Sequence, residues 1–164
     1  MLTKIWRSTH IRLNTKLKIF NSNVKSILLY GSESWSLTKK LESKIQVFIN
    51  TCLRRILKIF YPQVISNTDL WNLTKQPPVH TQIMKRKYRW IGHTLRRPIT
   101  EVQREALTWE LEGSRRRGAP KLTWRRKLTS ELRELGKTWE EIEALAQVRT
   151  SWRRFVNSLS PPVG

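Results

Sequence analysis

Apolar residues recur along most of this chain at intervals of three and four. Over 13–28 the residues expected on one buried side are Leu13, Leu17, Phe20, Val24, Ile27 and Leu28. Over 41–59 they are Leu41, Ile45, Phe48, Cys52, Ile56 and Ile59, with Val47, Leu53 and Leu57 widening the same side. No segment sustains the alternation of apolar and polar residues that a half-buried strand requires. Because residues three and four apart share one side of an α-helix, the pattern predicts an all-α chain. We expect a helical bundle, then a basic linker, then a small C-terminal helical segment.

Start and stop signals set the limits of the predicted helices. Gly31 ends a first helix over 15–30, because glycine readily adopts the left-handed conformation that follows a helix. Thr138 and Glu141 have the spacing of a capping box, which starts another short helix. The other predicted helices cover 39–61, 66–74, 79–97, 100–109, 122–135 and 152–159.

The predicted helix over 79–97 has an apolar side and a basic side. At about 100° per residue, the apolar residues that cluster on one side are Met84, Tyr88, Ile91 and Leu95. The opposite arc, roughly 120° wide, holds Lys85, Arg86, Arg89, His93, Arg96 and Arg97. A cationic stripe on a core-anchored helix is typical of nucleic-acid binding, because each neutralised phosphate releases condensed counterions. A solvated outer face is the alternative interpretation.

The net charge favours the nucleic-acid interpretation. The chain has 32 Lys and Arg against 12 Asp and Glu, a formal net charge of +20. Residues 1–130 hold 27 basic and 7 acidic side chains and 131–164 hold five of each, so the excess is predicted to act in the first part. Such a charge disfavours a compact state unless a polyanion screens it. We therefore expect RNA, DNA or their hybrid duplex as the partner.

A membrane partner is not expected. The longest apolar run, 27–30, is far shorter than the roughly 20 residues of a spanning helix. Cys52 is the single cysteine, which excludes an internal disulfide and favours a reducing intracellular location, nuclear or cytoplasmic. Its position in an apolar helical run predicts a buried structural thiol.

Residues for metal binding and catalysis are sparse. The histidines and the cysteine do not form the close pairs of a zinc site, and no glycine-rich phosphate loop is present, so no metal and no cofactor are expected. Asp69 is the only aspartate, and no pair of acids precedes Glu101. Two-metal chemistry needs clustered carboxylates that hold ions roughly 4 Å apart. The chain is therefore predicted not to be an enzyme, with no catalytic residue and no small-molecule substrate.

A basic linker separates two predicted helical regions. Residues 113–121 read GSRRRGAPK, with two glycines, a proline and no apolar periodicity. Candidate nucleic-acid contacts in the linker and the following helix are Arg115, Arg116, Arg117, Lys121, Arg125 and Arg126. Phosphate contact or a nuclear import signal is favoured over insertion into a minor groove, because Ala119 replaces the second arginine of a groove-binding hook. The predicted regions are 1–110, 111–121 and 122–164.

Five sequence blocks occur in an informative order. They are LLYGSESW at 28–35, ISNTDLW at 65–71, KRKYRWIGHTLRR at 85–97, REALTWELEGSRRRGAPKLTWRR at 104–126 and TWEEIEALAQVRTSWRRFVNSL at 138–159. In this order they resemble the part of a non-LTR (LINE-type, RTE-like) retrotransposon polyprotein that follows the reverse transcriptase palm. The resemblance implies that 10–98 form the helical thumb, which grips the template-primer duplex in that family. The remainder then corresponds to a C-terminal extension that binds nucleic acid.

The resemblance also defines what the sequence lacks. No tyrosine is followed by two aspartates, and no fingers, palm or apurinic-type endonuclease domain is recognisable. We therefore expect a non-catalytic fragment of a family whose parent activity is RNA-directed DNA polymerisation, binding RNA or DNA backbone without sequence specificity. Two alternatives stay open. One is a structural protein-protein interaction module, in which the eight tryptophans form a surface for an acidic partner; the other is a thumb that acts in trans with a palm on another chain.

Overall fold

The computed structural model describes residues 2–108 and 124–159, and these are all-α, as predicted, with no strand in either range. The helices are α1 (Thr3–Arg7), α2 (Leu13–Ile19), α3 (Ser26–Leu28), α4 (Lys39–Leu57), α5 (Asn67–Thr74), α6 (Val79–Leu95), α7 (Val102–Thr108), α8 (Trp124–Glu134), α9 (Trp139–Gln147) and α10 (Arg149–Ser158). A π-helical segment, Phe20–Lys25, joins α2 to α3, and Ser32–Ser34 form a 3-10 turn.

The described residues form two compact units. The first contains 2–32 and 37–83, and the second contains 33–36, 84–108 and 124–159. The division therefore falls within α6, after Ile83. The predicted region limits at 110/111 and 121/122 lie outside the described residues and stay predictions. The second unit contains described residues on both sides of 109–123.

The first unit is built around α4, against which α1, α2 and α5 pack. Thr38 caps α4, because its hydroxyl accepts a hydrogen bond from the Leu41 N–H at 3.3 Å. At the other end, Lys58 is left-handed with φ 59°, and the Ile59 N–H donates to the Arg54 carbonyl at 3.0 Å. This arrangement is that of a Schellman motif, which satisfies carbonyls at the end of a helix.

The buried side of α4 only partly matches the one that apolar periodicity predicted, with Leu53 and Ile56 buried as expected. Leu41 and Phe48, both expected in the core, are exposed. The buried side carries Asn50, whose side-chain oxygen accepts a hydrogen bond from the Trp71 indole N–H at 2.9 Å. Its amide nitrogen donates to the Asn67 side chain at 3.0 Å. These polar contacts place α5 against this side of α4. Apolar periodicity cannot predict them, because it takes no account of polar side chains.

The π-helical segment changes which residues of the first predicted helix are buried. Helical periodicity predicted Ile27 in the core, whereas Ile27 is exposed and Leu29 is buried. A π-helical turn uses i→i+5 hydrogen bonds and so holds about one residue more than an α-helical turn, which displaces later residues by that amount. Lys25, within the segment, is buried and donates to the side-chain oxygens of Asn21, at 3.3 Å, and Gln76.

The second unit buries the predicted apolar side of α6 against α7, α8, α9 and α10. Its core consists of Tyr88, Ile91, Leu95, Leu107, Leu128, Leu132, Ile142, Ala146, Trp152 and Val156. Met84 is partly buried and packs against this core, so the predicted apolar side of α6 is confirmed. The capping box of Thr138 and Glu141 is also confirmed, at the start of α9.

α10 approaches α6 closely at Gly92. A Cβ added to Gly92 would lie 2.0 Å from Nε1 and 2.2 Å from Cε2 of Trp152. The same indole N–H donates to the Tyr88 carbonyl at 3.1 Å, and the Phe155 ring packs edge-on against the Tyr88 ring with centroids 5.5 Å apart. These contacts fix the position of α10 along α6.

We expect Gly92→Ala to lower the free energy of unfolding by about 1–3 kcal/mol, because overpacking displaces the Trp152 ring. Thermal unfolding followed by circular dichroism measures the loss. Trp152→Phe supplies the control, since its smaller ring leaves space for the new methyl group. The double variant should then lose less stability than the two single losses together. Strictly additive losses would show that Gly92 and Trp152 do not interact.

Candidate nucleic-acid interface

The cationic residues predicted on α6 occupy the arc that faces away from the core. The fully exposed ones are Arg89 and His93. The half-buried ones are Lys85, Arg86, Arg96 and Arg97. The structure thus places all six on the predicted side of the helix but presents only two of them fully to solvent. Their role in binding nucleic acid stays a prediction.

Arg96 contacts the C-terminal end of α9. Its Nη1 donates to the Ala146 carbonyl at 3.0 Å, in the last turn, where carbonyls lack partners within the helix. Burial, and then the positive charge of nearby Arg149, lower the pKa of Arg96. A guanidinium has five N–H donors, so one bond to a carbonyl does not exhaust it. Arg96 can therefore stabilise α9 and still present donors to an anion.

Two further arginines stabilise the end of α6. Arg97 forms an ion pair with Glu101, four residues later. Arg104, on α7, donates to the Leu95 carbonyl at 2.7 Å and to the Glu143 carboxylate at 3.0 Å. Cations are favoured beside the carbonyls at a helix C-terminus. Arg104 is thus a structural residue that links α6, α7 and α9.

Three lysines add to the net charge without contributing to a cationic surface. Lys16 is buried, and its ammonium donates to two backbone carbonyls at 2.9 and 2.7 Å. Lys25 is buried as described above. Lys87, on α6, forms an ion pair with Glu131 at 2.8 Å, and only 6% of its side chain is exposed. The formal charge of +20 therefore overstates the charge that a ligand would meet.

α10 supplies three arginines that the sequence analysis did not include. Arg149, Arg153 and Arg154 are all exposed, and α10 contains no acidic residue. At about 100° per residue, Arg149 and Arg153 lie on one side of the helix. Arg154 lies roughly 100° further around, opposite the Trp152 ring that contacts α6.

The contacts of α10 show which of its sides lies beside the basic arc of α6. In order along α6, Tyr88 faces Phe155 and Gly92 faces Trp152, and Arg149 lies close enough to Arg96 for its charge to lower the pKa of Arg96. The reversed order means that the two helices run antiparallel. Helical rotation from the core side of α6 past Gly92 leads to Arg96 and Arg89. Arg149 and Arg153 therefore lie on the side of α10 that adjoins this part of α6.

We use the term basic face for the cationic surface that α6 and α10 form together. Its residues are Arg89, His93, Arg96, Arg149 and Arg153. The α10 part is not apparent from the net charge of segments, because 131–164 is neutral overall. The acids of that segment are placed elsewhere, with Glu131 paired to Lys87 and Glu143 to Arg104. The sequence does contain one indication of the α10 part. Arg149 and Arg153 are four residues apart and lie on one side of Trp152 around the helix, so α10 has a basic side next to an apolar side, as α6 has.

The remaining predicted contacts belong to the linker and the start of α8. Arg125 is half-buried and Arg126 is exposed, both in the first turn of α8. The linker residues Arg115, Arg116, Arg117 and Lys121 lie outside the described residues. Their contribution to a binding surface stays a prediction.

Within 2–108 and 124–159, no three His, Cys, Asp or Glu side chains lie close enough together to hold a metal ion. No helix in those ranges is long and apolar enough to cross a membrane. Cys52, predicted to be buried, is half-buried, and burial raises the pKa of its thiol. A raised pKa reduces the thiolate fraction on which cysteine reactivity depends.

The fold and the site together define an all-α protein with a cationic surface on two packed helices. A family model described as a domain of unknown function, DUF6451, matches residues 1–30. These residues span α1, α2, the π-helical segment and α3, and they include none of the predicted site residues. In searches of curated proteins and of solved structures, nothing matches the chain.

Lys87→Met should destabilise the second unit, because it leaves the Glu131 carboxylate without its partner. We expect a loss of roughly 1–3 kcal/mol, below the roughly 3–5 kcal/mol of a fully buried pair, since Glu131 is partly exposed. Urea denaturation measures it. Lys85→Met, on the outer arc of the same helix, is the control with the same change in charge. Equal losses for the two variants would show that the ion pair contributes nothing to stability.

Proposed function

We propose that this chain is a non-catalytic nucleic-acid-binding fragment that corresponds to the thumb and C-terminal region of a non-LTR retrotransposon reverse transcriptase. It binds the backbone of RNA, DNA or their hybrid without reading the base sequence. The observation that carries the binding proposal is the basic face, where the exposed Arg89 and the half-buried Arg96 of α6 and the exposed Arg149 and Arg153 of α10 lie on helices that share one core. The order of the five sequence blocks supports the assignment to the retrotransposon family.

The geometry of the basic face suits phosphates better than base edges. Its arginines are held by helices whose relative position is fixed by the contact of Gly92 with Trp152. Fixed guanidinium groups can bind phosphate oxygens through paired N–H donors. The aromatic side chains of α6, α8, α9 and α10 lie in or against the core of the second unit, which leaves them little surface for stacking on bases. Backbone contact alone gives binding that tolerates any sequence.

The alternative function, binding of an acidic protein through a tryptophan surface, receives less support. Seven of the eight tryptophans lie in the described residues, and each is buried or half-buried. Trp90 and Trp124, for example, pack edge-on against each other with ring centroids 5.8 Å apart. These rings are used to build the fold. A complex that survives both high salt and nuclease treatment would nevertheless favour a protein partner over nucleic acid.

Binding should depend strongly on salt. If the basic face and the linker arginines neutralise about six to eight phosphates, the slope of log affinity against log salt concentration should be roughly −5 to −7. Fluorescence anisotropy with labelled duplexes at several potassium chloride concentrations measures the slope. Duplexes of unrelated sequence should give the same affinity at each salt concentration. A flat salt response, or a strong sequence preference, would contradict the proposal.

A matched pair of charge reversals tests whether the basic face itself is the binding surface. Arg153→Glu should weaken duplex binding and make the salt slope shallower by about 1 or more, because it removes a phosphate contact and adds repulsion. Arg154→Glu changes the net charge equally, at an adjacent exposed position that points away from α6. It should retain most of the affinity. Equal losses would show that bulk charge, and not the arrangement of α6 and α10, determines binding.

A further inference from the structure

The turn between α4 and α5 exposes a group of large apolar side chains. Tyr61 is 94% exposed, Val64 is 90% exposed and Phe60 is 60% exposed. Leaving such a side chain in water forgoes the free energy that burial of its apolar surface would contribute. Clustered exposed apolar residues of this kind mark binding sites more often than isolated ones do.

The turn is held in place at both ends. It begins at the Schellman motif that ends α4, and the Gln63 N–H closes it by donating to the Phe60 carbonyl at 2.9 Å. After the turn, Nη2 of Arg54 donates to the Ile65 carbonyl at 3.2 Å and to the Asn67 side chain at 2.8 Å. The aromatic rings are therefore presented to solvent by a backbone that is fixed by hydrogen bonds.

The charges around the turn indicate the kind of ligand that it fits. Residues 43–68 contain four basic side chains and no acidic one. Arg55 and Lys58, at the end of α4 that leads into the turn, are exposed. The acid that follows, Asp69, is engaged by the Ser66 hydroxyl at 2.6 Å, at the start of α5. Exposed rings in a cationic setting complement a ligand that combines flat apolar groups with negative charge.

We propose that Tyr61 and Phe60 form a stacking platform for unpaired nucleobases, with Arg55 and Lys58 contacting the adjoining phosphates. Aromatic side chains in a positive groove stack on any base, because every base has a π-face. This platform lies in the first unit and recognises bases, whereas the basic face lies in the second unit and contacts only backbone. The inference thus goes beyond the proposed function and shares with it only the class of ligand.

The test compares three labelled duplexes at one salt concentration by fluorescence anisotropy. One is blunt, one has a single-stranded extension, and one has the same extension built from abasic nucleotides. Stacking contributes roughly 1–3 kcal/mol per base, so Tyr61→Ala should weaken binding of the base-containing extension by about 5- to 100-fold. Its binding of the blunt and abasic duplexes should equal that of the unmodified chain. Tyr61→Trp should retain the affinity, because an indole also stacks.

Tyr30→Ala is the matched control. Tyr30 is a tyrosine of the same unit that is 83% exposed, and it lies three residues before Glu33 and far in sequence from Arg55 and Lys58. This variant should bind all three duplexes as the unmodified chain does, and circular dichroism should show both alanine variants fully folded. Stacking is refuted if Tyr61→Ala binds the extension normally, or if it loses the abasic extension equally. If the unmodified chain binds the blunt duplex but gains nothing from the extension, stacking fails while the proposed function stands. If it binds none of the three, both proposals fail.

Discussion

The contact between Gly92 and Trp152 is the interaction on which the second unit depends. The missing Cβ lets an indole ring lie directly against the α6 backbone, and the ring N–H is satisfied by the Tyr88 carbonyl. Close approach of two helices at a glycine sets both their separation and their relative rotation. The arginines of α10 come to lie beside those of α6 for this reason. A cationic surface assembled in this way has a defined spacing, which a flexible chain of the same charge lacks.

For binding an anionic ligand, the positions of the basic side chains matter more than their total number. Lys16, Lys25 and Lys87 are buried with oxygen acceptors, and Arg104 links three helices. A buried ammonium without acceptors would be strongly unfavourable, so these residues are committed to the fold. Exposed cations also occur elsewhere, for example Lys4, Arg12 and Lys40, but the binding proposals rest on those of the basic face and those beside the turn that carries Tyr61. The binding proposals therefore depend on a minority of the basic residues.

Sequence patterns predicted the all-α class, the two sides of α6 and the capping box at Thr138, because each follows from local periodicity or local hydrogen bonding. They failed where a distant polar partner decided the outcome. The side of α4 that carries Asn50 is buried because Asn50 bonds to Trp71 and Asn67 of α5. These partners lie 17 or more residues away in the sequence, where a local pattern cannot detect them. The contribution of α10 to the candidate site was missed for a similar reason. Its arginines gain significance only once Trp152 meets Gly92, a pairing of distant residues that no local pattern contains.

The π-helical segment has one more implication. It is followed by three aliphatic residues, Ile27, Leu28 and Leu29. A regular α-helix would bury Ile27, whereas the observed helix buries Leu29. The two arrangements therefore bury similar amounts of apolar surface. Hydrophobicity alone thus leaves this helix with two nearly equivalent registers. The hydrogen bond of Lys25 to Gln76, which is distant in sequence, favours the register observed. A buried lysine, which adds little to stability, here distinguishes between two registers of the same apolar helix.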